Sequence, residues 1–305
     1  MRTAILDCGT NTFNLLIADV LLSRWETIKL IKFPVKLQEG GFQDGNIRPA
    51  PFNRGLDALE QIKVIIQEQQ VETIHATATS AIRSATNGPE FIAIAKEKYQ
   101  IPLEIISGKR EAELIAKGVL STLAPEGEYL IMDIGGGSTE FIVYRDGHVA
   151  WSQSYQLGVS RLFERIKPED PMSIANEKEL MAILDEELVE LRELLKAKPM
   201  DNLVGSSGSF DSIVKMIDER WGLLDANQDN QHILTSHFEV LYDELRKSSK
   251  LQRLSYPGLS PMRADFMVIS MILIKYMVHH LGLNILHQSS RALKEGVLEE
   301  MTALN

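Results

Sequence analysis

An α/β protein of two similar lobes is what this sequence predicts, and three observations carry the expectation. The first is a long-range duplication: ILDCGTNTFNLLIADV, Ile5 to Val20, lies without a gap over IMDIGGGSTEFIVYRDG, Ile131 to Gly147. The overlay pairs Asp7 with Asp133, Gly9 with Gly135, Thr12 with Ser138 and Ile17 with Val143. Each copy reads as apolar strand, Asp, glycine-containing turn with hydroxyls, then a second apolar strand. Such a hairpin sets a carboxylate at the end of its first strand, before a turn whose free N–H groups form an anion-binding concavity. The second is the alternation of strand-like and helix-like stretches, which means helices packed on a mixed sheet. The third is length, since 305 residues favour two domains with a core each. One hairpin alone would be an ordinary Gly turn; two copies suggest two lobes facing one phosphate-bearing ligand.

In the first half, Trp25 to Phe33 continues the hairpin as a third strand, and loop signals run from Glu39-Gly40-Gly41 to Pro51. Asn53 is expected to cap a helix with Leu56, Leu59, Ile62, Ile65 and Ile66 inside. Glu72 to Thr77 reads as a strand running into TSAIRSATNG. Asn87-Gly88-Pro89 opens a helix that ends near Tyr99, and Leu103 to Ile106 is a strand. Ser107-Gly108 then starts the helix KREAELIAKGVLS, and Pro125-Glu126-Gly127 marks the crossing into the second lobe.

There the Asp133 hairpin is followed by a strand from His148 to Tyr155 and a helix from Gly158 to Ile166. Ile174 to Lys196 is predicted as one long charged helix. Leu203-Val204 leads into Gly205-Ser206-Ser207-Gly208-Ser209, another strand–turn–helix junction. Between Trp221 and Ser260 one helix is expected, around His237 to Lys247. Arg263 to Leu281 reads as helix, Ile285-Leu286 as strand, and Arg291 to Leu304 as the last helix.

Composition narrows the function. A formal charge of −10 argues against sequence-blind nucleic-acid binding and against anionic membranes, so any polyanionic ligand needs a local cationic site. The single Cys8 allows no internal disulfide and reads as a buried thiol. The N-terminus lacks a signal-peptide pattern, and FMVISMILIKYMVHHL is too short and too broken by Lys275 and His279–His280 to span a membrane. Reducing cytoplasm is the expected compartment. His279 and His280, adjacent on a helix, make a poor ligand pair. No nucleophile elbow and no Walker lysine motif occurs.

DCGTNTF at Asp7, TSAIRSATN at Thr79, SGKREAELI at Ser107, DIGGGSTE at Asp133, GSSGS at Gly205 and the RADF and LKEG segments resemble the exopolyphosphatase/guanosine pentaphosphate phosphohydrolase (Ppx/GppA) family, over nearly the whole chain. The resemblance implies two ribonuclease-H-like lobes of the actin, sugar kinase and Hsp70 superfamily, 1–124 and 125–305, with the cleft between them. The last helix, about 291–305, would pack back on the first lobe. The chain departs from the family at Arg110, where Glu is frequent, at Ile269-Ser270, where Gly is usual, and at Ala292 and Lys294, where Gly and Arg are usual. The sequence also stops without the extra C-terminal domains of longer members, so a short grip on polyphosphate and distributive cleavage are expected.

Four carboxylates, Asp7, Glu111, Asp133 and Glu140, facing one anion would repel it unless a divalent cation intervened. Mg2+, with Mn2+ as a substitute, is expected on Asp7 and Asp133, because it takes few carboxylates and bridges phosphate oxygens. By resemblance Glu111 orients and deprotonates the attacking water, with Glu140 as the second catalytic carboxylate. On the same basis phosphate is cradled by the N–H groups of Gly135, Gly136 and Gly137, by Thr10, Asn11, Ser138 and Thr139, by the second junction at Gly205, Ser207 and Gly208, and by a forked contact from Arg83. The implied activity is release of terminal phosphate from inorganic polyphosphate or of the 5′ γ-phosphate from guanosine pentaphosphate. The ligand is thus a polyphosphate or a guanosine polyphosphate, and a homodimer is compatible with the sequence. A non-catalytic guanosine polyphosphate or nucleotide sensor on the same scaffold is the alternative; a sugar or acetate kinase is a second rival, disfavoured by SGKREAE.

Overall fold

Residues 3–6 are buried on both faces, as a central strand covered by helices must be, and they set the middle of the first sheet. The computed structural model describes residues 1–42, 44–225 and 228–303. Its first part contains β1 (Arg2–Cys8), β2 (Thr12–Val20), β3 (Trp25–Pro34), α1 (Pro49–Glu68), β4 (Thr73–Ala78), α2 (Ser80–Ser84), α3 (Gly88–Tyr99), β5 (Leu103–Ile105) and α4 (Gly108–Leu120). The second contains β6 (Tyr129–Ile134), β7 (Thr139–Arg145), β8 (His148–Tyr155), α5 (Val159–Ile166), α6 (Ile174–Glu187), α7 (Val189–Ala197), β9 (Asn202–Ser206) and α8 (Ser207–Trp221). β10 (Asn230–Ile233), α9 (Thr235–Lys247), α10 (Lys250–Leu254), α11 (Met267–Leu281), β11 (Ile285–Ser289) and α12 (Leu293–Ala303) complete it.

The duplication is structural. The first sheet runs β3-β2-β1-β4-β5 and the second β10-β11-β9-β6-β7-β8, so that β8-β7-β6-β9-β11 repeats the first order with one strand added. In both, an antiparallel meander is followed by strands parallel to its first member. Asp7 lies opposite Asn14 in the first hairpin and Asp133 opposite Glu140 in the second. This is the α/β fold of two ribonuclease-H-like lobes read from the sequence.

Each sheet has its own apolar core, one around Phe13, Leu59 and Phe91, the other around Phe141, Leu184 and Phe238. A third cluster, with Ile5, Leu16, Ile115, Val119, Ile131, Ile142 and Leu298, lies between the sheets around α4 and α12. These two helices approach at their glycines: a Cβ on Gly118 would stand 2.1 Å from the Ala292 carbonyl oxygen, and one on Gly296 1.8 Å from that of Leu114.

Several elements differ from the sequence expectation. α1 starts at Pro49, not after Asn53, because prolines in a first helical turn forgo only N–H groups that have no partner there. The expected single helix from Ile174 breaks at Leu188 into α6 and α7, with neither Pro nor Gly to mark the place. Arg263 precedes α11, in a 3-10 turn, and the Ala264 carbonyl accepts from Arg253 Nε at 2.6 Å instead of joining a helical ladder. β10 and α10 add to the one helix expected between Trp221 and Ser260. α12 begins at Leu293, not Arg291; Leu304, its expected end, and Asn305 are outside the described residues. Ser270 hydrogen-bonds Ser209 through its hydroxyl at 2.9 Å and so ties α11 to α8. Cys8 is buried and free, and among the described residues no helix is long and apolar enough to cross a membrane.

Candidate active site

The strand ends and glycine turns of the two hairpins meet across a cavity of about 300 Å3. In each hairpin the first glycine closes the turn in the same way: Gly9 N–H donates to the Thr12 carbonyl at 3.1 Å and Gly135 N–H to the Ser138 carbonyl at 3.0 Å. The carbonyls beyond are turned outward and tied down. Thr10 and Asn11 oxygens accept from Leu37, Val35 and Lys36, while Gly135 and Gly136 oxygens accept from Val159 and Ser160 at the start of α5. The N–H groups of Thr10, Asn11, Gly136 and Gly137 have no protein partner among the described residues. Two rows of free donors therefore border the cavity, an arrangement suited to phosphate oxygens. Gly136 and Gly137 must be glycine, since a Cβ there would come within 2.8 Å of the Asn11 amide and 2.6 Å of the Ser80 and Thr10 hydroxyls.

Asp7 and Asp133 line the cavity from the two lobes. Asp7 Oδ2 accepts from Asn14 Nδ2 at 3.0 Å; Asp133 Oδ2 accepts from the Ser206 and Ser207 hydroxyls, both at 2.9 Å. Burial pushes the Asp7 carboxyl up to about 6, against the pull of Lys294 and Asn14, and raises that of Asp133 as well. Glu111 comes from the first turn of α4, whose start is capped by the Ser107 hydroxyl accepting from Arg110 N–H at 3.1 Å. Its Oε2 accepts from Arg83 Nη1 at 2.8 Å. Glu140, on β7, accepts from the Ser154 hydroxyl at 2.6 Å and is also hydrogen-bonded by Ser138. Both glutamates are raised above the usual carboxylate range, first by burial; Arg83 opposes this for Glu111, while Glu111 and Asp133 add to it for Glu140. A cavity that resists holding four negative charges favours bound cations.

Among the described residues no three carboxylate, imidazole or thiol side chains converge as a metal cage. Asp7 and Asp133 each leave one oxygen free of the hydrogen bonds above. Two hard oxygens beside an anion site fit Mg2+, which is held by one or two carboxylates with waters and substrate oxygens.

Of the residues expected at the site, Asp7, Thr10, Asn11, Glu111, Asp133, Gly135, Gly136, Gly137, Ser138, Glu140, Ser207 and Gly208 line this cavity. Three do not. Thr139 is fully buried and its hydroxyl donates to the Leu157 carbonyl at 2.9 Å. Gly205 lies inside β9, where a Cβ would meet the Phe210 ring at 2.1 Å, so its role is packing. Arg83 spends Nη1 on Glu111 and on the Ile106 carbonyl, and thereby positions Glu111. Ser207 serves Asp133 through its side chain. Arg110, which departs from the family pattern, turns to Glu300 at 2.5 Å.

Other groups were not foreseen. Ser80, in the TSAIRS run, buries a hydroxyl without a hydrogen-bond partner beside Gly137 and Thr10. Arg161 Nε donates to the Gly137 carbonyl at 2.9 Å. Lys32, Lys215, Arg263 and Lys294 line the cavity together. Lys294, at the start of α12, was noted only as a departure; here its ammonium, beside Glu295 at 3.5 Å, acts on Asp7 and Asp133 as a resident counter-charge.

Residues 16–304 match the Ppx/GppA phosphatase family. The chain is 36% identical to an exopolyphosphatase from Cytophaga hutchinsonii whose crystal structure superposes with a TM-score of 0.94, covering 99% of this chain and 98% of that one. An Aquifex aeolicus member of the Ppx/GppA family, 24% identical with a TM-score of 0.82 over 100% of this chain and 98% of that one, shares the fold. A guanosine-5'-triphosphate,3'-diphosphate pyrophosphatase of Aeromonas hydrophila is 25% identical over 295 residues, 97% of this chain and 58% of that protein.

Proposed function

The chain belongs to the Ppx/GppA phosphatase family, and on that premise we propose that it hydrolyses the terminal phosphoanhydride bond of inorganic polyphosphate or of guanosine pentaphosphate. The observation that carries the reading is the meeting, in one cavity, of two rows of unpartnered backbone N–H groups with the Glu111–Glu140 pair. A binding protein would use the donors but has no use for two buried glutamates held above their ordinary pKa.

In the proposed reaction the terminal phosphoryl oxygens rest on the N–H groups of Gly136 and Gly137 and on those of Thr10 and Asn11, with the Ser80 hydroxyl as a further donor. Glu111, held by Arg83, accepts the proton of the attacking water; its raised pKa brings it nearer to the working range of a general base. Glu140 lies close enough to share that charge and steadies the water from the other side. Asp7 and Asp133 would hold Mg2+, which when bound supplies charge stabilisation at the bridging and terminal oxygens. Asn14, Ser206 and Ser207 keep the two aspartates oriented. Phosphoryl transfer asks mainly for positioning and charge stabilisation, and this chain's residues provide both.

The test is phosphate release from tripolyphosphate, long polyphosphate and guanosine pentaphosphate side by side with Mg2+. Turnover of at least one, lost in Glu111→Gln, is expected. Tight binding of all three without turnover would return the protein to the class of sensors.

A further inference from the structure

Outside the cavity, the edge of the second sheet brings two histidines together. His232 on β10 and His287 on β11 stand directly opposite each other in the antiparallel ladder, so both rings rise from the same face. Neither lines the cavity. Their ring centres are 5.4 Å apart and the ring planes are inclined by 50°. A metal ion bound to one nitrogen of each ring at about 2.0–2.1 Å sets the ring centres about 4.5–5.2 Å apart for ligand angles between square and tetrahedral. The pair therefore stands within a small side-chain rotation of chelating geometry. His279 and His280, neighbours on one helix turn, have no such relation.

The surroundings of His287 add a second observation. Its Nε2 lies 3.4 Å from Asn202 Oδ1 on the adjacent strand β9. The Asn202 amide is oriented by its own Nδ2, which donates to the Glu128 carbonyl at 3.1 Å. An amide oxygen only accepts, so Nε2 carries the proton and Nδ1 keeps the lone pair. Metal-binding histidines are held in this way, with the far ring N–H given to a fixed oxygen that sets tautomer and orientation. Burial, and then repulsion from His232, holds the His287 imidazole below its usual pKa, and the neutral form is the one that ligates. The His232 ring is exposed and makes no hydrogen bond or ion pair among the described residues.

We propose that His232 and His287 form a two-histidine site for a divalent transition ion, Zn2+, Ni2+ or Cu2+, which pins the edge strand β10 to β11. Imidazole suits these ions, whereas Mg2+ prefers oxygen and does not compete for the pair. No third carboxylate, imidazole or thiol completes a cage with the two histidines among the described residues, so water fills the remaining positions. β10 has four residues and pairs only with β11. An ion held by both strands binds the folded chain alone and adds its binding free energy to the stability of that edge. The site is independent of the hydrolytic reading.

The experiment follows melting of the full chain in rising Zn2+, calorimetric Zn2+ binding, and the electron paramagnetic resonance of bound Cu2+. Wild type should bind one ion at this pair, gain about 2–4 °C in Tm when free Zn2+ is about ten times Kd, and show two imidazole nitrogens on Cu2+. His232→Gln and His287→Gln should each abolish the gain and weaken binding by at least about tenfold, since loss of a merely supporting group already costs that much. Two controls should keep both the gain and the affinity. One is His279→Gln, which removes an imbalance-prone rival, an imidazole 2.7 Å from Glu239; the other is Asp133→Asn, which alters the cavity. His232 is exposed, so its variant decides the matter should His287→Gln lower the metal-free Tm. A gain retained in His232→Gln, a gain lost only with His279 or Asp133, a Cu2+ spectrum without two nitrogens, or no binding at millimolar metal would each overturn the proposal.

Discussion

Replacing Glu111 by Gln should act on rate and on stability in opposite directions. Gln keeps the size of the side chain and can still accept from Arg83 Nη1, 2.8 Å from the present Oε2, but it cannot take a proton from water. The expected loss is about 10²–10⁴-fold in kcat, the span for removing a general base, with affinity for phosphates little changed. Stability follows from the raised carboxyl. Burial is the main cause, Arg83 opposes it, and Asp7 and Asp133 add to it. A carboxyl whose pKa is higher folded than unfolded contributes stability that is full below the ordinary carboxylate range and lost as pH rises through the raised value. Gln does not titrate, so the variant gains on wild type as pH climbs from about 4 to about 8. Each pH unit of displacement corresponds to about 1.4 kcal/mol, and the loss of a charged partner for Arg83 offsets part of it. A net gain on the order of 1–3 kcal/mol amounts to about 2–6 °C in Tm for a chain of this size. Phosphate release and melting curves at both pH limits, in chelator, provide the readouts. Turnover within tenfold of wild type, or a variant no better relative to wild type at the upper pH limit than at the lower, would refute the reasoning.

Activity should vanish in excess chelator and return with Mg2+. Asp133→Asn should raise the Mg2+ concentration needed for half-maximal rate and lower kcat, and full activity after dialysis against chelator would remove the metal from the scheme. Ser154→Ala deletes the 2.6 Å hydrogen bond that lowers the Glu140 pKa, so the acid-side half-point of the kcat profile should move up, and an unmoved profile would take Glu140 out of the proton-handling pair. A cavity of about 300 Å3 on a chain of net charge −10 holds only the first few links. Attraction beyond it fades within about 8–10 Å at physiological salt. Thus kcat/KM should level off after a handful of phosphates, with intermediate lengths visible on a gel; disappearance of long chains without intermediates would contradict this. Gly296→Ala forces a Cβ to within 1.8 Å of the Leu114 carbonyl oxygen and should cost about 1–3 kcal/mol, measured by urea unfolding.

The hairpins were legible because they depend on local signals: an apolar strand, an Asp, then glycines at a turn. Glu111 was legible only through the SGKREAE motif, because a carboxylate in the first turn of a helix is otherwise an ordinary end-charge, and what it faces was not legible at all. The errors have a common source in side-chain direction. Thr139 follows Ser138 by one residue on a strand, so its hydroxyl points to the opposite face and reaches Leu157, while Gly205 is one residue short of the Ser206–Ser207 pair that serves Asp133. The cations were invisible for another reason. Lys32, Lys215, Arg263 and Lys294 come from four separate segments, and a lone lysine on a strand or helix looks like any solvated residue until packing gathers several at one wall. β10 is only four residues long and exists through its pairing with β11, so no run of its own announced it.

The two-fold repeat also explains why the acids collect on one side. Each lobe's last helix is exchanged: α4 follows the first sheet but packs on β6, β7 and β8, and α12 follows the second sheet but packs on β1 and β2. The helices begin with similar residues, so that KRE at 109–111 corresponds to LKE at 293–295. At the matching position Glu295 accepts from Ala292 N–H at 2.9 Å and simply caps its own helix, whereas Glu111 leaves its cap to Ser107 and turns to Arg83. The hairpins diverge likewise, with Asn14 opposite Asp7 and Glu140 opposite Asp133. Because the helices are exchanged, the helix whose glutamate does not cap it meets the hairpin that gained one, and the helix bearing Lys294 meets the hairpin with an amide. In the proposed mechanism one half of the duplicated frame thereby supplies the proton acceptors and the other the counter-charge. The close approach of Gly118 and Gly296 to the opposing helix sets both helix starts over the cavity at once.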